Sequence, residues 1–126
     1  MHAEIAIRAA QPHERKMLEA LQWRASLANP GDRQALLANP DAIILPADQI
    51  ENGLVVLAEA AGVCMVFAAI LPRSDGDIEL DGLFVEPGVW TQGFGRELVR
   101  HCCVLARQMG ATHLHVVGNP HALGFY

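Results

Sequence analysis

The residues best suited to chemistry stand in one run, Leu83-Phe84-Val85-Glu86-Pro87-Gly88-Val89-Trp90-Thr91-Gln92-Gly93-Phe94-Gly95-Arg96-Glu97-Leu98. A strand-like Leu-Phe-Val segment enters a loop with Pro and Gly, and the loop enters a helix whose first turn holds two glycines. Unpaired amides at a helix start point outwards with a partial positive charge, and glycine lets a phosphate come close to the backbone. A helix opening at Gly93-Phe94-Gly95-Arg96 therefore has the chemistry of a pyrophosphate cradle. An ordinary tight strand-to-helix turn accounts for the same glycines equally well. Two commoner phosphate motifs fail here. Gly88 and Gly93 have the spacing of a Walker loop, but Phe94 and Gly95 occupy its Lys and Ser/Thr places. A dinucleotide fingerprint requires Gly or Ala where Leu98 stands.

Other reactive side chains give weaker patterns. His113 and His115 share one face of a predicted strand and have a spacing that could ligate a metal. No third ligand is evident in the sequence, so no metal site is expected and both are read as structural or surface groups. Cys64, Cys102 and Cys103 form no CxxC pair and no zinc spacing with the histidines. Neighbouring cysteines on a helix point in different directions, so all three read as free thiols in a reducing cytoplasm. His101, on the same helix, is assigned no chemical role.

The elements that must position this loop follow from periodicity and breakers. Glu4–Ala10 alternates as a short strand. From Pro12 to about Ala28, Met17, Leu18, Leu21 and Ala25 recur at helical spacing, and Asn29-Pro30-Gly31 stops the helix. A short helix follows over about Asp32–Leu37. Asp41–Gly53 is the least defined stretch, with Ile43-Ile44-Leu45 as a brief strand or packed loop. Strands are predicted over Leu54–Ala60, Val63–Leu71 and Asp77–Val85, with strong turn chemistry from Pro72 to Gly76. A helix over Gly93–Met109 buries a stripe of Leu98, Cys102, Leu105 and Met109, and Gly110 stops it. Thr112–Val117 is a further strand, and Asn119-Pro120 opens a last helix. The order is β-α-α-β-β-β-α-β-α.

Composition bounds the answer. The chain has 126 residues, of which 52% are apolar, enough for one domain with a core. Nine Lys and Arg against 14 Asp and Glu give a net charge of −5, which supplies no general attraction to nucleic acid and mildly favours a cationic small molecule. No basic segment leading into an apolar one opens the sequence, so no signal peptide is expected. Leu54–Leu71 is apolar enough to suggest a membrane span, but Glu59, the Ala61-Gly62 break and its β-branched residues indicate a buried hairpin. A soluble cytoplasmic protein without membrane contact is expected.

The run from Leu83 resembles motif A of the GNAT acetyltransferases, in which a Leu-Phe-Val strand is followed by Pro and an Arg/Gln-x-x-Gly-x-Gly/Ala loop. Gly93 and Gly95 match the two small positions, while Trp90 stands where Arg or Gln is usual. Asn119-Pro120-His121-Ala122-Leu123-Gly124-Phe125-Tyr126 resembles the family's Asn-x-x-Ala-x-x-Phe-Tyr segment, in the expected order after one helix and one strand. The resemblance implies a mixed α/β (α+β) GNAT-type fold, a central and mostly antiparallel sheet flanked by helices. The family pattern continues past this tyrosine with Gly-Phe and further strands. Residues 1–126 are accordingly expected to be one such domain, incomplete at its C-terminus, whose missing strands come from further chain or from a partner.

The same resemblance implies direct acetyl transfer from acetyl-CoA, as co-substrate and without metal, to an amine of a small-molecule or peptide acceptor. A homodimer is compatible with it. Gln92 and the amides of Gly93, Phe94, Gly95 and Arg96 would hold the diphosphate. Main-chain groups around Phe84 and Val85, with Asn119, would hold the pantetheine arm; Asn119 would serve equally as a helix cap. An alkylammonium of pKa ~10.4 costs about 4–5 kcal/mol to neutralise at pH 7. Glu79 and Asp81, two apart on one strand and so on one face, are the candidate bases, or else a solvated sheet edge. Tyr126 would protonate the thiolate or only orient the sulfur. Gln22, Trp23 and Arg24 lie where this family shapes acceptor choice, although Trp23 suits a core position as well. A non-catalytic acyl-CoA-binding module and a purely structural α/β domain are the competing readings.

Overall fold

The computed structural model describes residues 5–28, 30–39, 45–89 and 93–116. Five strands form one sheet in sequence order: β1 (Ile5–Ala9), β2 (Val55–Ala60), β3 (Val63–Pro72), β4 (Ile78–Val85) and β5 (Leu114–Val116). The first four are antiparallel neighbours, and β5 joins β4 in parallel after the crossover through helix α4 (Phe94–Gln108). Between β1 and β2 lie α1 (Arg15–Ala28), α2 (Pro30–Ala38) and the short α3 (Ala47–Glu51).

Both faces of the sheet are covered, and this explains the long apolar run that resembles a membrane span. Along β2, Val56 and Ala58 face one core with Phe94, Leu98, Cys102 and Ala106 of α4. Val55 and Leu57 face the other, with Leu18 and Leu21 of α1, Leu45 and Ile50. A strand buried on both sides loses the polar half of its alternation. Among the described residues no helix is long and apolar enough to cross a membrane. The β2–β3 hairpin turns at Ala61 and Gly62, with φ of 53° and 79°. Two successive positive φ values are those of a type I′ turn, whose twist matches the strands it joins.

Several expectations shift. The long first helix begins with a 3-10 turn at Pro12–Glu14, and Met17 is exposed. Pro30 opens α2 rather than only ending α1, as a proline at the first helical position allows. Helix α3 occupies part of the stretch left open, and its buried Gln49 donates from Nε2 to the Ile70 carbonyl at 3.1 Å. Residues 43 and 44 and the last predicted helix lie outside the described residues. In α4 the fully buried stripe is Leu98, Cys102 and Ala106, with Leu105 partly buried against the same core and Met109 outside it. Met109 is 48% exposed. Met109 falls at the C-cap, just past the last helical residue, so the stripe ends before it. The three cysteines are free. Burial pushes the Cys64 thiol up to about 11 and that of Cys102 up to about 12, so both stay protonated and unreactive at neutral pH.

The edge strand β1 is fastened by charge. Arg8 Nη1 and Nη2 donate to Glu14 Oε1 and Oε2 at 2.8 and 2.7 Å, and the same guanidinium reaches Glu59 at 3.4 Å. Glu14 Oε1 also accepts the Gln11 N–H at 2.9 Å. The Arg8 hydrogen bonds hold the Glu14 carboxyl at about 2, below its ordinary 4.5. A carboxyl depressed on folding contributes stability that is complete above the unfolded value and is lost as pH falls through the folded one. Solvent reaches this pair, so Glu14→Gln is expected to cost only about 1 kcal/mol at pH 7. The difference from the parent should shrink between pH 4.5 and 2. Urea unfolding at both ends of that window measures it, and a pH-independent difference would mean that packing rather than charge is lost.

Candidate functional site

The site is built where β4 ends and α4 begins. Gly93 caps α4 with φ of 82°, a left-handed conformation that a side chain strains. A Cβ there would meet nothing within 4 Å, so the requirement for glycine is conformational rather than spatial. The first helical hydrogen bond runs from the Glu97 N–H to the Gly93 carbonyl at 3.1 Å. The amides of Phe94, Gly95 and Arg96 therefore precede the ladder, and no side chain of the Gly93 cap bonds to them. Phe94 is buried among the α4-side core residues and anchors the turn. Gly95 is buried, whereas Gly93 and Arg96 are exposed. Trp90 and Gln92 lie outside the described residues, as do Asn119 and Tyr126.

Strand β4 approaches this turn with a defect. Ala69 of β3 pairs with Gly82 and Ile70 pairs with Leu80, leaving Asp81 as an extra, exposed residue in a β-bulge. The period-two argument that sets Glu79 and Asp81 on one face is thus interrupted at Asp81. Glu79 is half-buried and lies in register between Leu71 of β3 and His115 of β5. Beyond the bulge, Phe84 turns to the α1 side and meets Phe67 with ring centroids 5.2 Å apart, tilted by 36°. Val85 packs on the opposite, α4 side. A Cβ on Gly82 would stand 2.6 Å from Phe84 Cε2, so this glycine makes room for the ring.

Two contacts not visible in the sequence hold the loop entrance. The Glu86 N–H donates to the Met65 carbonyl at 2.8 Å. Arg24 of α1 grips the Glu86 carboxylate from Nε at 3.1 and 3.2 Å and from Nη2 at 2.7 Å, which raises the guanidinium pKa further. Arg24 thus ties the helix beside the Phe84 face to the start of the cradle loop. A separation of 62 residues gives such a pair no local signature. Among the predicted site residues, the structure brings Phe84, Val85 and Gly93–Arg96 to one end of β4 and its connection. Glu79 lies towards the other end.

A bulged strand of an antiparallel sheet thus feeds a glycine-opened helix, with a parallel strand after it. The chain belongs to the acetyltransferase (GNAT) family, whose model matches residues 13–126. No curated protein sequence matches it. Among solved structures it resembles the PaiA N-acetyltransferase of Thermoplasma acidophilum in complex with coenzyme A, at 15% identity and a TM-score of 0.77 over 97% of this chain and 84% of that one. It also resembles a GNAT family acetyltransferase of Brucella melitensis in complex with acetyl-CoA, at 20% identity and a TM-score of 0.65 over 94% and 78%. A third is the ribosomal-protein-S18-alanine N-acetyltransferase of Escherichia coli, at 18% identity and a TM-score of 0.67 over 98% and 74%. At these identities the likeness is one of fold.

Proposed function

We propose that this chain, as a single GNAT-type domain, transfers the acetyl group of acetyl-CoA directly to a primary amine of a small-molecule or peptide acceptor in a ternary complex. The observation that carries this reading is the glycine-opened helix start at Gly93–Arg96, in the connection after bulged β4. Fixed amide dipoles with no competing side chain among the described residues suit a diphosphate, and Gln92 adjoins them in sequence. An extended arm lying along β4 past Val85 and Phe84 spans the distance from that cradle towards Glu79, about 20 Å of strand for six residues. Asn119 is assigned to the same arm.

In the reaction the amine nitrogen forms a bond to the thioester carbon, and the carbon–sulfur bond breaks to leave a thiolate. The amine proton goes to Glu79 or Asp81, directly or through water. Tyr126 returns a proton to the sulfur, a step uphill by about 2 kcal/mol for a phenol of pKa ~10 and a thiol near ~8.5. Main-chain N–H groups near Phe84 stabilise charge developing on the carbonyl oxygen. The Arg24–Glu86 pair keeps α1, on the acceptor side, in fixed relation to the loop. No requirement for a second copy of the chain enters, although a homodimer is compatible.

The test is thiol release from acetyl-CoA across a panel of amino acids, polyamines, aminoglycosides and peptides. Release that depends on one acceptor class supports the reading. A second reading, an acyl-CoA-binding module without turnover, rests on Trp90 in place of the usual Arg or Gln. It predicts a raised melting temperature with acetyl-CoA, following RT ln(1 + [L]/Kd), but no thiol with any amine.

A further inference from the structure

His113, just ahead of β5, and His115 within it have partners that the sequence spacing does not reveal. Asp77, immediately ahead of β4, accepts at Oδ1 from the Thr112 N–H and Oγ1, each at 3.1 Å, and from the His113 N–H at 3.2 Å. Its Oδ2 faces two imidazoles, with His115 Nε2 at 3.0 Å and His113 Nδ1 at 3.5 Å. Asp75, in the preceding turn, completes a group in which ligand atoms of Asp75, Asp77 and His115 all lie within 4.8 Å of one another. Asp75 Oδ1 accepts the Asp77 N–H at 3.0 Å, and Oδ2 pairs with Arg73 at 3.2 Å.

Three of these residues have ligand atoms close enough to converge on one ion. Two ligands each ~2.0–2.1 Å from a tetrahedral zinc ion stand about 3.3 Å apart, and the two Asp77–histidine separations bracket that value. Imidazole nitrogen combined with carboxylate oxygen suits zinc-class ions, whereas calcium and magnesium take oxygen ligands. We propose that Asp75, Asp77 and His115 bind one divalent transition-metal ion of the zinc class, with His113, 3.5 Å from Asp77 Oδ2, turning in as the fourth ligand, and that the ion clips the β3–β4 turn to the start of β5. Four protein ligands leave no open position, so the ion is structural. The clip has a mechanical use: among the described residues β4 and β5 share only the register pairs Ile78–Leu114, Glu79–His115 and Leu80–Val116. His113 and Asp75, with side chains 72% and 49% exposed, give the ion its entry path. On binding, His113 Nδ1 exchanges its 3.0 Å contact with Thr112 Oγ1 for the metal. The eight residues of β4, about 26 Å of strand, separate this cluster from Gly93. The clip therefore does not depend on the acyl-transfer reading.

The experiment uses the full chain, stripped with a chelator and dialysed. Zinc is titrated by calorimetry, and cobalt(II) by visible absorption as the spectroscopic probe. One equivalent of each is expected to bind, cobalt with the intense bands of a tetrahedral site, and saturating zinc should raise the melting temperature. His115→Ala and His113→Ala should each weaken binding by at least about tenfold, while His101→Ala and His13→Ala leave it unchanged. Asp77→Asn should abolish the cobalt bands. Because that variant also loses a partner for Thr112, the two histidine variants decide if it is unstable, His113 being too exposed to matter to the core. Absence of saturable binding, or binding that survives both His113→Ala and His115→Ala, overturns the proposal.

Discussion

Gly95→Asp is expected to weaken coenzyme A binding by at least ~100-fold, which corresponds to about 2.7 kcal/mol. The substitution sets a carboxylate in the first turn of α4, where the proposed diphosphate must sit, and adds a Cβ where the backbone is buried. The sign of the effect on the helix alone is opposite, because an acidic side chain near a helix N-terminus is favourable by about 0.3–1 kcal/mol. Binding and stability are thus expected to separate: calorimetric affinity for coenzyme A collapses, while the ligand-free melting temperature changes little. Gly95→Ala isolates the steric part and should lie between the two. Parent affinity in the aspartate variant would remove the diphosphate from this turn.

Phe67→Ala is expected to destabilise the fold by about 3–5 kcal/mol. Phe67 is fully buried, lies opposite Phe84 and Leu57 in register, and stacks on Phe84. Its loss opens a cavity beneath the strand that leads to the cradle, under the ring for which Gly82 makes room. Against a typical total of about 5–15 kcal/mol, such a loss takes a large share of the stability. The urea midpoint should fall with an unchanged slope, and a cost under 1 kcal/mol would show that the α1-side core collapses to fill the space.

The sequence carried the architecture well because its signals were local and redundant. The Ala61-Gly62 break, the Pro72–Gly76 turn and the glycines bounding α4 each mark an element boundary within a residue or two. Buried stripes were harder to read. Ala106 joins the stripe and Met109 leaves it, because position on the helix, not side-chain size, decides which residues of α4 face inwards. The bulge at Asp81 was invisible, since an extra residue in a strand leaves the hydrophobic pattern of Leu80, Leu83 and Val85 readable in more than one register. The Gly93–Arg96 turn was legible because helix starts announce themselves through glycine and the preceding proline. The partners that brace it were not. Arg24–Glu86 and the Asp77 contacts with His113 and His115 join residues far apart in the chain, and one sequence read by itself holds no trace of such pairs. The carboxylate that the proposed metal clip adds to His113 and His115 lies 38 residues upstream of His115, across the parallel strand pair.

The central claim is that free amides at the start of α4 grip a diphosphate. Amide NMR during titration with coenzyme A tests it most directly, with pantetheine, which lacks the diphosphate, as the comparison. Large downfield shifts are predicted at Phe94, Gly95 and Arg96 with coenzyme A and small ones with pantetheine. Saturation by coenzyme A without movement of those three amides, or equal movement with both ligands, would contradict it.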